Sequence, residues 1–329
     1  MTTIEAVRAR LGASSQRYIP VLATLIVLVI MYGYGASQYE AFTVDAQVIL
    51  NVFIDNAFLM VVAVGMTFVI LTGGIDLSVG AVVALSTMLS AVMLQDLHWP
   101  AYLTIPAVLA VGSTLGFAMG AVIHYFDIQP FIVTLAGLFF ARGLCYAIST
   151  DAIPITDPFW VWMGQTQLRI GTMHVSPSEI ICLVLVLVAA FVLSYTRLGR
   201  NTYAIGGNQQ SALLMGLPVA RTKIAVYTIS GFCSALGGLL FSFYLPSGDS
   251  LHGIGMELDA IAAVVIGGTL LTGGSGYVLG TVLGVLVLGL IQTLIRFDGT
   301  LSSWWTRMVI AILLFAFIVL QRVIVWMRR

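Results

Sequence analysis

The chain has 329 residues with 14 basic and 14 acidic side chains, so it is formally neutral and carries no electrostatic footprint for nucleic acid. Hydrophobic residues make up 60% and charged ones 9%, against about 45–50% and about 25% in soluble domains. This excludes a soluble globular fold and predicts an all-α, polytopic membrane protein seated in a lipid bilayer.

Apolar runs that can cross, or nearly cross, a ~30 Å hydrocarbon core lie at 19–35, 57–72, 77–94, 101–125, 131–149, 178–195, 224–245, 257–272, 275–296 and 304–322. They predict about ten transmembrane helices in one permease domain covering 1–329, with 57–72 and 257–272 the shortest. The first run has no clean Ala-x-Ala site after it and is read as an uncleaved span. Arg8, Arg10 and Arg17 precede it, and Arg197, Arg200, Arg221 and Lys223 fall in the polar loop 196–223. Arg322, Arg328 and Arg329 close the chain. Six and then four runs separate these groups, both even numbers, so the positive-inside rule places that loop and both termini in the cytoplasm.

Asn51, Asp55 and Asn56 open the second run, and Asp76 and Ser78 follow it. Thr134, Phe139, Phe140 and Arg142 lie in the fifth. Neutral donors and acceptors beside aromatic surfaces suit a polar solute path, and the same residues suit ordinary helix packing. Arg142 must face the bundle interior or reach an edge. The long loop 150–177 ends in Ser176-Pro177-Ser178-Glu179, a capping box that starts the next helix. Glu257 and Asp259 read as acids complementing the dipole of a first helical turn. Cys145, Cys182 and Cys233 are isolated in apolar runs, where each is a small buried hydrophobe, and the four histidines show no metal spacing.

The chain also matches itself. Leu71-Thr72-Gly73-Gly74 recurs as Leu271-Thr272-Gly273-Gly274, which is 271 − 71 = 200 residues later, with related segments around 57–94 and 257–296. Gly73, Gly74, Gly273 and Gly274 can each stop a helix, and Asp76 can cap the next one. The pair is either a tight turn reused by duplication or two interrupted helices lining a path. A phosphate loop is missing: Lys223 is followed by Ile224, so neither its lysine nor its Ser/Thr exists. The sequence therefore predicts a transport subunit and not an enzyme. It binds no cofactor and no metal, and any ATP would be hydrolysed by another chain.

In the loop 196–223, Tyr203-Ala204-Ile205-Gly206-Gly207-Asn208 leads into Gln210-Ser211-Ala212, then Gly216 and Arg221. This resembles the Glu-Ala-Ala, three residues, Gly coupling motif of bacterial ABC importer permeases, with Gln210 in place of the acid and Ser211 in place of the first alanine. Residues 65–80 and 257–269 resemble the signatures of the ribose/arabinose/galactose branch, and 297–306 are similar to permeases of galactofuranose importers. The resemblance runs from about residue 45 to the C-terminus. It implies a bacterial inner-membrane permease that imports a monosaccharide by alternating access. It also implies three partners: an ABC ATPase on the coupling loop, a second permease chain, identical or homologous, and a periplasmic sugar-binding protein near 150–177. A different class, an ion-coupled secondary transporter, would instead use Asp55 and Asp76 to carry a proton or sodium ion.

Overall fold

The computed structural model describes residues 19–39, 42, 46–170, 173–299 and 303–327. Arg8, Arg10, Arg17, Arg328 and Arg329 lie outside the described residues, as does the side chain of Arg322. Unpaired backbone amides are not tolerated in hydrocarbon, so the apolar runs fold as helices. The first half holds α1 (Ile19–Gln38), α2 (Ala46–Asp55), α3 (Ala57–Leu71), α4 (Val79–Gln95), α5 (Ala101–Tyr125) and α6 (Pro130–Ile148). A connecting region follows, with β1 (Ile153–Pro154), α7 (Pro158–Gln165), the hairpin β2 (Leu168–Ile170) and β3 (Met173–Val175), and α8 (Pro177–Tyr195). The polar loop forms α9 (Arg197–Gly207) and α10 (Gln209–Leu214). The chain then continues through α11 (Val219–Tyr244), β4 (Ser247–Gly248), α12 (Met256–Ile266), α13 (Val278–Asp298) and α14 (Ser303–Met327).

The expectation of about ten spans is too high by length. Among the described residues six helices, α1, α5, α6, α8, α11 and α13, are long and apolar enough to cross a membrane. A seventh span is possible if α2 and α3, bent by 65° at Asn56, count as one. α4 has 17 residues, and the described apolar part of α14, Trp304–Val319, is also short. The run 257–272 is the clearest correction. α12 stops after 11 residues, about 16 Å, at Gly267, and Gly268 takes a φ of +92° that few other residues adopt. The remaining residues form turns, so the apolar run continues where the helix does not.

α11 is the central post and packs against α5, α3 and α4. Its seam with α5 is made by small residues at a four-residue interval. A Cβ on Gly112 would lie 2.6 Å from the Gly231 carbonyl oxygen, and one on Gly120 would lie 2.9 Å from the Ile224 Cα. Helices in lipid gain little from burying apolar surface, so such backbone proximity carries the association. α3 is buried along nearly its whole length. Its Thr67 hydroxyl meets the Thr281 hydroxyl of α13 at 2.7 Å. The Ser176 capping box starts α8 as expected, and all three cysteines are buried and free.

Contacts between distant loops define two faces. At one, α9 meets the turns that follow α3 and α12. At the other, β1 pairs antiparallel with β4, with Ile153 opposite Gly248. There Arg142 of α6 donates from Nη1 to the Ser250 carbonyl and, at 2.8 Å, to the His252 carbonyl. This settles Arg142 as an interior clamp on the loop before α12.

Candidate functional site

The two Leu-Thr-Gly-Gly turns, 200 residues apart, touch each other. The Gly274 N–H donates to the Leu71 carbonyl at 2.9 Å. Gly73 and Gly273 share a left-handed conformation, with φ of +79° and +84°. Gly73 and Gly74 close the end of α3 as expected, whereas α12 has already stopped at Gly267, so Gly273 and Gly274 turn a loop and do not break a helix. The C-terminal glycines of α9 fit into the joint. A Cβ on Gly206 would collide with the Leu71 carbonyl oxygen and the Gly274 nitrogen, and one on Gly274 would stand 2.9 Å from the Gly207 nitrogen. The Tyr203 hydroxyl donates to the Gly276 carbonyl at 2.8 Å. Burial, with Tyr277 adding to it, pushes the Tyr203 phenol up to about 12, so it stays a donor at any working pH. Three backbone segments, 71–74, 203–207 and 271–276, thus form one knot that leaves no room for a side chain at Gly206.

Beyond the knot, Asn208 caps α10 by accepting from the Ser211 N–H at 2.8 Å. α10 ends in a Schellman turn. Gly216 has φ +74°, its N–H reaches the Leu213 carbonyl, and the Leu217 N–H reaches the Ala212 carbonyl. Ala212 is the inward anchor and is fully buried. Gln210, Ser211, Gly216 and Arg221 face outward. Beside them Leu213, Leu214 and Met215 project, and Leu214 is 88% exposed. A solvated helix that presents three adjacent large apolar side chains has the character of a docking knuckle.

The break between α3 and α4 holds a polar cluster. Asp76 is completely buried. Its Oδ1 accepts from the Ser78 N–H at 3.0 Å and the Ser78 hydroxyl at 2.6 Å, and its Oδ2 accepts from the Ser230 hydroxyl of α11 at 2.7 Å. Thr134 of α6 donates to the Ile75 carbonyl at 3.2 Å. Asp76 was expected as the helix cap, but Ser78 occupies that position and Asp76 closes an Asx turn around it. The buried Tyr227 hydroxyl lies against Gly74 and has no hydrogen-bond partner among the described residues.

The structure divides the remaining pathway candidates. Asp76, Ser78 and Thr134 come together. Asn51 and Asp55 line a separate cleft at the opposite face, where Asp55 pairs with Arg296 at 3.8 Å. Asn56 sits at the α2–α3 bend, donates to the Val52 carbonyl at 2.8 Å and lies against Gly289. Phe139 and Phe140 are 67% and 58% exposed on α6, and Phe140 lines a shallow apolar cleft with Val133 and Gly137. Glu257 and Asp259 occupy the first turn of α12, as expected.

Ser230, Tyr227 and Gly206 were not picked out from sequence. Ser230 and Tyr227 lie three residues apart on α11, a spacing that puts them on one helix face toward Asp76, and this was the available signal. Gly206-Gly207 belongs to the segment Tyr203–Asn208, and nothing local ties it to residue 71.

A protein-family model described as "Branched-chain amino acid transport system / permease component" matches residues 48–318. The chain is 47% identical to the "Inner membrane ABC transporter permease protein YjfF" of Escherichia coli K12, over 95% of this chain and 96% of that protein. It is 39% identical to the "Fructose import permease protein FruG" of Bifidobacterium longum, over 94% and 92%. With the "Ribose import permease protein RbsC" of Haemophilus influenzae it shares 40% identity over 84% of each. No solved structure matches the chain significantly. A transport component rather than an enzyme is what these matches and the apolar helices describe. The chain belongs to the family of branched-chain amino acid transport system permease components.

Proposed function

We propose that the chain is the membrane subunit of an ATP-binding-cassette importer that carries a monosaccharide across the bacterial inner membrane by alternating access. The observation that carries this reading is the knot beneath α10. A solvated knuckle made of Leu213, Leu214 and Met215 stands next to a helix whose glycines grip the turns of both broken segments. A force applied to the knuckle would be passed to α3, α4, α12 and α13 together. ATP is bound and hydrolysed by a partner ATPase seated on α10, where Gln210, Ser211, Ala212, Gly216 and Arg221 form or support the contact. In this reading residues 1–329 act as one permease domain, and both termini share the cytoplasmic face with α9 and α10. A second permease chain completes the path. A periplasmic sugar-binding protein delivers the solute near 150–177. The names of YjfF, FruG and RbsC support an ABC sugar permease. Galactofuranose is the finer reading, and it rests on the resemblance of residues 297–306.

The test is affinity purification of the tagged chain from its native host, combined with uptake of labelled galactofuranose and ribose. A P-loop ATPase should co-purify with the wild-type chain and be lost from a Leu214→Asp variant that still inserts. Retention of the ATPase after Gln210–Ala212 and Gly216 are replaced would sink the coupling assignment. Uptake of ribose in preference to galactofuranose would sink the finer substrate reading alone.

A further inference from the structure

The ends of α12, α13 and α14 farthest from the knot gather polar side chains that the coupling machinery does not use. Asp259, Gln292, Arg296, Thr306 and Arg307 line a cleft of ≈ 600 Å³ between these helices, floored by apolar residues such as Ile261, Ile310 and Leu314. That volume is within the range of small-molecule sites, about 300–1,000 Å³. Arg296 also lines the neighbouring ≈ 360 Å³ cleft, together with Asn51, Asp55, Thr293 and Phe297. The outer end of α13 is therefore a polar ridge between two clefts.

We propose that this ridge and the larger cleft form a receiving site for a neutral polyhydroxy ligand, a monosaccharide at the mouth of the path. The inference rests on the sugar-permease reading and gives it a location. Charge balance is the first argument. The larger cleft holds one acid, Asp259, against two bases, Arg296 and Arg307, and Asp55 of the neighbouring cleft pairs with Arg296 at 3.8 Å, so the ridge as a whole carries two acids against two bases. This balance disfavours the rival occupant, an anionic lipid headgroup, which is drawn to unopposed basic groups.

Hydrogen-bond chemistry is the second argument. A sugar hydroxyl both donates and accepts. Carboxylates accept at two oxygens, a guanidinium donates in a planar fork, and an amide does both, so adjacent hydroxyls can be held pairwise. Asp259 and Arg307 line one cleft and act on each other electrostatically without closing to an ion pair among the described residues, a spacing that a ligand hydroxyl would bridge. Carbohydrate rings also present C–H faces. The apolar floor suits these, and Trp304 lies 5.8 Å from the Arg307 guanidinium, so the fork rests over a ring.

The experiment uses the intact importer in its native host for uptake, and the purified chain in nanodiscs for saturation-transfer NMR. The NMR probes are methyl β-D-galactofuranoside and D-ribose. The variants are Gln292→Ala, Arg296→Gln and Arg307→Gln. Each changes a side chain at the cleft and leaves the knot untouched, and thermal unfolding checks that each variant folds. The expected result is a sugar signal on the wild-type chain that weakens in each variant, with an apparent KM for uptake raised about tenfold where Arg296→Gln or Arg307→Gln removes a charged hydrogen bond and less by Gln292→Ala. Unchanged KM in all three variants, with wild-type uptake intact, would overturn the site and leave the permease reading standing. A phosphatidylglycerol molecule retained in native mass spectrometry and lost on Arg296→Gln or Arg307→Gln, with KM unchanged, would assign the cleft to lipid. Failure of the intact wild-type importer to take up any sugar would overturn both the permease reading and the site that rests on it.

Discussion

The two faces of the molecule are built from opposite materials. At the knot, glycines at 73, 206, 273 and 274 let three stretches of backbone touch, and apart from the Tyr203 hydroxyl the contacts are made by carbonyls and N–H groups. At the other face the work is done by side chains: Arg142 on two carbonyls, Arg296 beside Asp55, and Asp259 across from Arg307. A backbone joint is intolerant of added bulk and indifferent to charge. A side-chain surface is the reverse. This contrast suits a moving joint on one side and a solute-facing surface on the other.

The hardest blow to the comparison should come from Gly206→Val. The added methyls would be driven into the Leu71 carbonyl, and overpacking of this kind costs about 1–3 kcal/mol. Uptake should disappear while the ATPase still co-purifies through α10. Wild-type uptake in this variant would show that the knot transmits nothing. Next, Ser230→Ala should leave Asp76 Oδ2 buried without a donor and lower stability by about 1–3 kcal/mol. Thermal unfolding in detergent measures this, and an unchanged midpoint would mean that the cluster contributes no stability.

The smallest effect expected is one of pH on the side-chain face. Burial outweighs the neighbouring Asp249 and holds His252 below its ordinary value of 6.5, with Arg142 acting in the same direction. A base with a depressed folded pKa contributes stability that is complete above 6.5 and is lost as pH falls below it. The unfolding midpoint should therefore fall slightly between pH 7 and pH 5, and His252→Gln should reduce that fall. Equal acid sensitivity in the variant would place the titrating group elsewhere.

Much of this was legible in the sequence, but unevenly. The helical fold, the break at 73, the capping box at Ser176 and the interior cysteines all follow from local chemistry. The span count failed at 257–272 because composition does not show where a helix stops, and Gly267 and Gly268 end α12 inside an unbroken apolar run. Phe139 and Phe140 share α6 with Thr134, yet Thr134 is buried and the two rings are exposed. In a membrane both the buried and the lipid-facing sides of a helix are apolar, so hydrophobic periodicity does not separate them. The gathering of Asp259, Arg296 and Arg307 from three helices, and of Gly206 with Leu71, depends on long-range packing that no local pattern encodes.

The hydrogen bond from Gly274 to Leu71 also sets an order of assembly. Its partners are separated by 274 − 71 = 203 residues, and a ribosome adding about 5–20 residues each second needs about 10–40 s to supply the second after the first. For the first two-thirds of that interval α3, buried along nearly its whole length in the finished molecule, has neither α9 nor α12 to pack against. The first broken segment must therefore wait in the bilayer or in the care of the insertion machinery. A chain that stops before residue 274 would leave it waiting permanently, exposed to membrane quality control.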